Sequence, residues 1–318
     1  MEKLYNTKSK DELIAQIEAE TFKRVTCSFY CYKFVKNPQS LRDDLFRTWM
    51  GLKVLGRTYI AEEGLNAQIS VPEIFWDDFI ATFEHFDILK NVIPNRAIKD
   101  GVSFFKLIIK VRKEIVSFSL SSNEYDMRKV GNHLSAKDFN KLIEEEESIV
   151  IDMRNQYEST VGHFRGAHLP KTKVSKDLLP EVENILRGRK NKKILLYCTG
   201  GIRCEKASSY LLNKGYKDVN QLKGGIINYA RNVKENGLES KFIGKNFVFD
   251  NRMGERVTDD LVAECSICGL ACDDYTDCLN QKCHVLFIQC KDCGKELNGC
   301  CSKMCQAKYS NQNISTYK

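Results

Sequence analysis

Lys193-Ile194-Leu195-Leu196-Tyr197-Cys198-Thr199-Gly200-Gly201-Ile202-Arg203, continued by Cys204-Glu205-Lys206-Ala207, is the stretch on which the fold turns. Ile194 to Tyr197 is a short apolar run of the kind that forms a buried strand. It delivers Cys198 to a loop containing Gly200 and Gly201, and a helical pattern from Cys204 to Lys214 follows, with Gly215 as its C-cap. A loop of this kind turns successive backbone N–H groups inward and has a helix N-terminus behind it, which makes an anion-binding nest. A cysteine in such a nest has a lowered pKa and reacts as thiolate. Arg203 closes the loop with a fork of donors suited to an oxyanion. The alternative is a buried structural cysteine before an ordinary strand–helix turn; the coincidence of strand, glycines, arginine and helix speaks against it.

Cys198 to Arg203, ends included, is six residues. This length resembles the active loop of rhodaneses, which carries a persulfide sulfur on its cysteine, whereas cysteine phosphatases of related shape use a loop one residue wider. In that resemblance Cys198 and Arg203 are catalytic, and Thr199, Gly200, Gly201, Ile202 and Cys204 complete the loop. Cys204 at the helix start can also serve as a partner thiol, but packing of the helix is the favoured reading.

Upstream, Ser135-Ala136-Lys137-Asp138 has the spacing of a capping box and opens a helix that ends in the acidic run Glu144 to Glu147, a solvated face. Ser148 to Asp152 reads as a buried strand. Asp152-Met153-Arg154 with Glu158, and Gly162-His163-Phe164-Arg165-Gly166-Ala167-His168-Leu169-Pro170, resemble two further rhodanese signatures. In that family these brace the active loop, so Asp152, Arg154 and Glu158 are expected to be structural, and His163 belongs to the scaffold. His168 stays open as a candidate general base. Downstream, Asp218 to Leu222 is another strand, and Lys223-Gly224-Gly225 leads into a helix through Ile226, Ile227 and Tyr229. Strands alternating with helices give an α/β domain with a parallel sheet, whose reactive loop sits at the carboxyl end of a strand.

Before this domain, residues 1–24 read as a charged helical lead-in with Leu13, Ile14 and Ile17 on one face. Val25 to Tyr32 is rich in strand formers. A helix over Leu41 to Leu52 has Ser40 as N-cap. Extended stretches Gly56 to Glu62 and Leu65 to Val71 meet at Glu63-Gly64, and a helix follows over Ile74 to Phe86. Phe104 to Phe118 reads as a strand or hairpin. The order β-α-β-β-α-β is the ferredoxin-like plan. Cys27 and Cys31, four apart on a strand, share one side and read as core or flank. The polar connector 123–131 sets domains at 1–122, 123–240 and 241–318.

The third segment holds ten of the chain's 14 cysteines, all between Cys265 and Cys305. Cys265-x2-Cys268 and Cys290-x2-Cys293, each followed closely by glycine, resemble zinc knuckles, whose tight turn brings two thiolates to one tetrahedral ion. The residues point to metal, with zinc first and an iron–sulfur cluster as the alternative. Cys265, Cys268, Cys278, Cys283, Cys290, Cys293, Cys301 and Cys305 suffice for two four-sulfur sites. The shorter loops favour a sequential arrangement, the first four on one ion and the last four on the other; a crossed arrangement joins the two Cys-x-x-Cys pairs. Such closed sites hold a segment together and catalyse nothing.

The 318 residues carry a net charge of +7, and residues 121–240 hold 21 basic against 16 acidic groups. Arg187, Arg189, Lys190, Lys192 and Lys193 form a basic run just before the strand that leads to Cys198, as expected for a polyanionic substrate such as nucleic acid; a solvated loop is the plainer reading. No run has the apolar length of a membrane span, and the polar start of the chain has no signal-peptide core, so a cytoplasmic protein is expected.

Taken together, a ferredoxin-like α+β domain, a rhodanese-like parallel-sheet domain with Cys-Thr-Gly-Gly-Ile-Arg-Cys-Glu-Lys-Ala, and a Cys-rich tail preceded by Phe-Val-Phe-Asp…Gly-Glu-Arg-Val resemble the bacterial tRNA uridine hydroxylase family over about residues 20–305. The resemblance implies oxygen-dependent hydroxylation at C5 of the wobble uridine of tRNA, giving 5-hydroxyuridine, with molecular oxygen as co-substrate, tRNA as partner and Cys198 as the essential cysteine. A sulfurtransferase carrying a cysteine persulfide is the alternative, and a non-catalytic RNA-binding scaffold is a third, against which the intact loop argues. The sequence has no Gly-x-Gly-x-x-Gly stretch for flavin, and its five histidines are scattered.

Overall fold

A computed structural model describes residues 4–99 and 101–315. The chain divides into two compact units, the first made of residues up to Gln156, Gly166–Glu239 and Asp250–Arg252, the second of Tyr157–Arg165, Ser240–Phe249 and the remainder from Met253.

The first unit begins with α1 (Lys10–Glu18), opened by a capping box from Ser9 and Glu12. Then come β1 (Arg24–Tyr32), α2 (Pro38–Gly51), β2 (Leu55–Ala61), β3 (Gly64–Pro72), α3 (Trp76–His85), the two-residue β4 (Asn95–Arg96) and β5 (Leu107–Val111). They form a sheet in the order β4-β1-β3-β2-β5, the ferredoxin-like plan with one added edge strand. Its core face carries Cys27, Phe29, Ile60, Leu65, Ala67 and Ile69 against Leu45, Trp49, Phe79 and Phe83 of the helices. Two expectations are corrected. The N-cap of α2 is Asn37, whose side chain accepts the Ser40 N–H, because Pro38 takes the first turn where no N–H is needed. Phe104 to Phe118 is not a hairpin: only Leu107–Val111 is strand, parallel to β2. Past the charged Arg112, Lys113 and Glu114, Val116 and Phe118 turn into a different core, that of the parallel sheet.

That second sheet comprises β6 (Asn132–Leu134), β7 (Ser148–Asp152), β9 (Lys193–Tyr197) and β10 (Asp218–Leu222), with helices α4 (Ala136–Ile143), α6 (Leu178–Ile185), α7 (Ile202–Asn213) and α8 (Gly225–Asn236) between and after them. The strands are parallel in the order β6-β10-β9-β7. Ile149, Ile151, Ile194 and Leu196 bury against Leu178, Val182, Ala207 and Leu211, so β9 is apolar on both faces because both are covered. Helix α7 starts at Ile202, two residues before the sequence pattern, because Gly201 adopts φ +101° and lets the chain enter the helix directly from the loop.

In the second unit, residues from α5 (Gln156–Thr160) and β8 (Gly162–Phe164) join β11 (Phe242–Asn246) and β12 (Glu255–Arg256) in a sheet ordered β12-β11-β8. A hairpin, β13 (Tyr275–Asp277) with β14 (Leu286–Ile288), and helices α9 (Lys291–Glu296) and α10 (Lys303–Ser315) complete it. Among the described residues no helix is long and apolar enough to cross a membrane.

Candidate functional site

Strand β9 ends at Tyr197, and Cys198 lies fully buried at its carboxyl end. The Gly201 N–H donates to Cys198 Sγ at 3.1 Å. Burial opposes charge on this sulfur, but the Cys204 thiol, the Arg203 guanidinium and the Cys204 and Gly201 backbone N–H groups outweigh it and lower the pKa to about 6. Cys198 is therefore mostly thiolate at neutral pH. Cys204 moves the other way: burial, then its hydrogen bond to Cys198, hold its thiol well above the ordinary value. Its thiol donates a hydrogen bond to the Cys198 sulfur. Arg203 is 8% exposed and also reaches Thr199 Oγ1 at 3.4 Å.

The loop is held from beneath by the β7 end. Arg154 makes a two-pronged ion pair with Asp152, Nε to Oδ1 at 2.8 Å and Nη2 to Oδ2 at 2.6 Å, with both side chains fully buried. The Met153 N–H donates to the Tyr197 carbonyl at 2.8 Å, and the Arg154 guanidinium lies 5.7 Å from the Tyr197 ring centre. These contacts fix the residue immediately before Cys198. Glu158 is buried on α5. His163 Nδ1 lies 3.0 Å from the Ser159 carbonyl, a scaffold contact. His168 is exposed; its backbone bridges to β7 and its side chain has no hydrogen bond among the described residues.

Several residues at the site carry no motif. Gly225 at the start of α8 has φ +63°, and an added Cβ would lie 2.5 Å from the Cys198 carbonyl oxygen. Its absence lets the Ile226 and Ile227 N–H groups donate to the carbonyls of Cys198 and Thr199 at 2.9 and 3.1 Å. Lys223-Gly224-Gly225 was the only signal in the sequence. The other missed residues come from β1, whose outward side chains meet the loop. A Cβ on Gly201 would lie 2.9 Å from Tyr30 Oη, and one on Gly200 would lie 3.7 Å from Ser28 Oγ. Tyr30 donates to Glu205 Oε2 at 3.2 Å, where His133 Nε2 also meets it at 2.8 Å, and Tyr32 donates to the Ile202 carbonyl at 3.2 Å. Burial first, then the Glu205 carboxylate, keep Tyr30 a neutral phenol, and the Glu205 hydrogen bond raises the His133 pKa. Fully buried Lys206 on α7 pairs with Glu63 of the β2–β3 turn and with Glu114, each at 2.8 Å. The ferredoxin-like sheet is thus bolted to the helix that follows the reactive cysteine.

The basic run lies elsewhere. Arg187 to Lys192 precede β9 and Lys193 opens it, at the opposite end of the strand from Cys198. Lys192 and Lys193 pair with Glu147 and Glu145, members of the acidic run. Lys190 donates to the Lys214 carbonyl and Arg187 to Asn184 Oδ1, while Arg189 is exposed.

In the tail the eight cysteines form two groups that can each hold a metal ion, Cys265, Cys268, Cys290 and Cys293 in one, Cys278, Cys283, Cys301 and Cys305 in the other. The arrangement is crossed, and the sequential expectation is corrected. The β13–β14 hairpin is the reason: its open end brings Cys290 back to the Cys265–Cys268 turn, while Cys278 and Cys283 flank its closed end beside Cys301 and Cys305. Longer loops add little closure entropy, so the hairpin decides. A tetrahedron with metal–sulfur bonds of about 2.3 Å has sulfur–sulfur edges of about 3.8 Å. Sulfurs of Cys268 and Cys290, Cys283 and Cys301, and Cys301 and Cys305 are each 3.7 Å apart. The donor sets therefore fit a single tetrahedral ion each. Cys272 and Cys300 are buried packing residues outside both sets, and the exposed His284 belongs to neither set.

Fold and loop together define a rhodanese-type domain joined to an α+β platform and a thiolate-rich tail. Residues 24–115 match the family profile "UPF0176 acylphosphatase like domain", residues 135–232 "Rhodanese-like domain" and residues 243–306 "Rhodanase C-terminal". The tRNA uridine(34) hydroxylase of Leptospira interrogans is 48% identical over 95% of this chain and 83% of its own. That of Yersinia pestis is 47% identical over 95% and 86%. A solved rhodanese-like domain protein from Staphylococcus aureus is 26% identical, covering 31% of this chain and 90% of that one, with a TM-score of 0.26. The chain belongs to the tRNA uridine(34) hydroxylase family.

Proposed function

We propose that this protein hydroxylates the uridine at position 34 of tRNA at C5, an oxidoreductase reaction with molecular oxygen as co-substrate and Cys198 as the reactive group. The observation that carries the reading is the 47–48% identity to proteins of that name across 95% of the chain, spanning platform, loop and tail together. A sulfurtransferase would need only the rhodanese domain. The lowered pKa of Cys198, about 6, supports a thiolate or its persulfide as the working species, and Arg203 supports charge held on the loop. Asp152 and Arg154 act by positioning. A tRNA substrate implies work in the cytoplasm. The test is mass analysis of tRNA nucleosides from cells with and without the gene: loss of 5-hydroxyuridine and its derivatives is expected, while unchanged 5-hydroxyuridine with altered thiolation favours the sulfurtransferase.

Zinc is the ion assigned to the tail, four thiolates per site, where it would supply folding energy and, with no open coordination position, no chemistry. Arg187, Arg189 and Lys190, with Lys192 and Lys193 partly neutralised by their acidic partners, are proposed to meet tRNA phosphates away from the anticodon. Neutralising the first three should reduce the salt dependence of tRNA binding by up to about three units of log–log slope. An unchanged slope marks the run as solvated surface.

A further inference from the structure

The outward face of the ferredoxin-like sheet has features that the loop does not use. Ser28 and Tyr30 of β1 abut the loop glycines. Directly across the ladder, Gln68 pairs with Ser28 and Asn66 pairs with Tyr30, so their side chains stand about 5 Å from those of β1 on the same face. Both amides are half-buried, and neither side chain has a hydrogen-bond partner among the described residues. Their amide atoms are not among the buried unpaired ones, so they stand open to a ligand on the face that adjoins the reactive loop. One strand further, Arg57 pairs with Gln68 and Tyr59 with Asn66, and Lys110 pairs with Tyr59 on the edge strand. Arg57, Lys110 and Arg112 are exposed, and the Arg112 guanidinium lies 5.6 Å from the centre of the Tyr59 ring. No outward position of β1, β2, β3 or β5 carries a carboxylate.

We infer that Asn66 and Gln68 read the target base, holding uracil by its N3–H and O4, while Arg57, Lys110 and Arg112 take phosphates of the same RNA strand; this rests on the tRNA hydroxylase reading above. An amide offers an acceptor and a donor side by side, which matches the N3–H and O4 of uracil. A ring held by that edge leaves its C5–C6 bond, next to O4, uncovered for chemistry. The amides stand on the strand next to the one that touches the Cys198 loop, so the base is bound beside the thiolate. The cationic edge of the same face suits a polyanion, and Tyr59 offers a ring on which an unpaired base stacks.

The test is binding of short anticodon stem-loop RNAs carrying uridine or 3-methyluridine at position 34 to the full-length, metal-loaded protein. The N3-methyl group removes the donor, and wild-type affinity should fall roughly tenfold. In Asn66→Ala/Gln68→Ala the two RNAs should bind alike, near the weaker value; Gln68→Glu, a near-isosteric change, should also weaken the uridine RNA. Unchanged Cys198 alkylation kinetics report that the site is still folded in each variant. Neutralising Arg57, Lys110 and Arg112 should lower the salt slope by about two. Equal binding of the two RNAs by wild type, or an undiminished methyl effect in the double variant, overturns the base-reading role. Hydroxylation in cells is a separate readout: absent 5-hydroxyuridine with intact methyl discrimination sinks the activity and leaves the amide assignment standing.

Discussion

Two regions of this chain gather cysteines, and their chemistry differs because their neighbours do. At the β9 end, Cys198 receives the Gly201 N–H, the Cys204 thiol and the field of Arg203, which together stabilise one negative charge on one sulfur. Among the described residues no set of metal ligands gathers there, and the one neighbouring thiol, Cys204, is kept protonated by burial and by its partner. In the tail, four sulfurs converge twice within metal-ligand reach, with neighbouring sulfurs 3.7 Å apart. A lone thiolate facing donors is a reagent, and four facing each other are a clamp. Cys27 gives the third case: burial pushes its thiol up to about 12, and it packs in the ferredoxin-like core.

The largest way to break this contrast is to strip the metal. Structural thiolate sites of this kind contribute about 10–16 kcal/mol of apparent folding energy at neutral pH, so chelation should make residues beyond 253 protease-sensitive while the parallel-sheet core keeps its far-UV signal. A stripped tail that resists protease as before contradicts the clamp. Next in size, Cys198→Ser should lower hydroxylation by about a thousandfold or more, in line with loss of a sole nucleophile, and should leave bound metal unchanged. The reverse substitution sharpens the contrast: Cys268→Ser, at an exposed ligand, should remove one ion per chain on elemental analysis without altering Cys198 alkylation. Metal loss from Cys198→Ser, or slowed alkylation in Cys268→Ser, would join the two regions into one system.

The smallest effect concerns the proton on Cys198. Its folded pKa is depressed, so thiolate is present above about pH 6 and is lost as pH falls through that value; alkylation should fall off below it, whereas Cys27 should stay slow throughout the neutral range. Cys204→Ala removes one donor to the charged form, and the midpoint should rise by about one unit, the equivalent of one ordinary hydrogen bond. A midpoint that does not move returns Cys204 to a packing role.

Much of this was written locally. Ile194 to Tyr197 reads as a covered strand, and Cys198, the paired glycines and Arg203 read as a nest, because backbone conformation and helix position are set over a few residues. The strand-forming run of β1 and the N-cap at Ser135 are equally local, as is the identity of four tail ligands, since the two Cys-x-x-Cys turns bring Cys265 to Cys268 and Cys290 to Cys293 by themselves. Other features depend on which distant segments meet. The crossed sharing of those ligands follows from the pairing of β13 with β14. The role of Cys204 needed the turn of α7 that aims it at Cys198. Tyr30, Lys206 and the Asn66–Gln68 pair have no motif because their meaning lies in contacts across the sheet or over more than a hundred residues of chain. Such contacts leave no spacing to read. Backbone preferences act over a few residues and so appear in sequence; which charges and amides share one buried place is set by the packing of whole elements, and only the tertiary structure decides it.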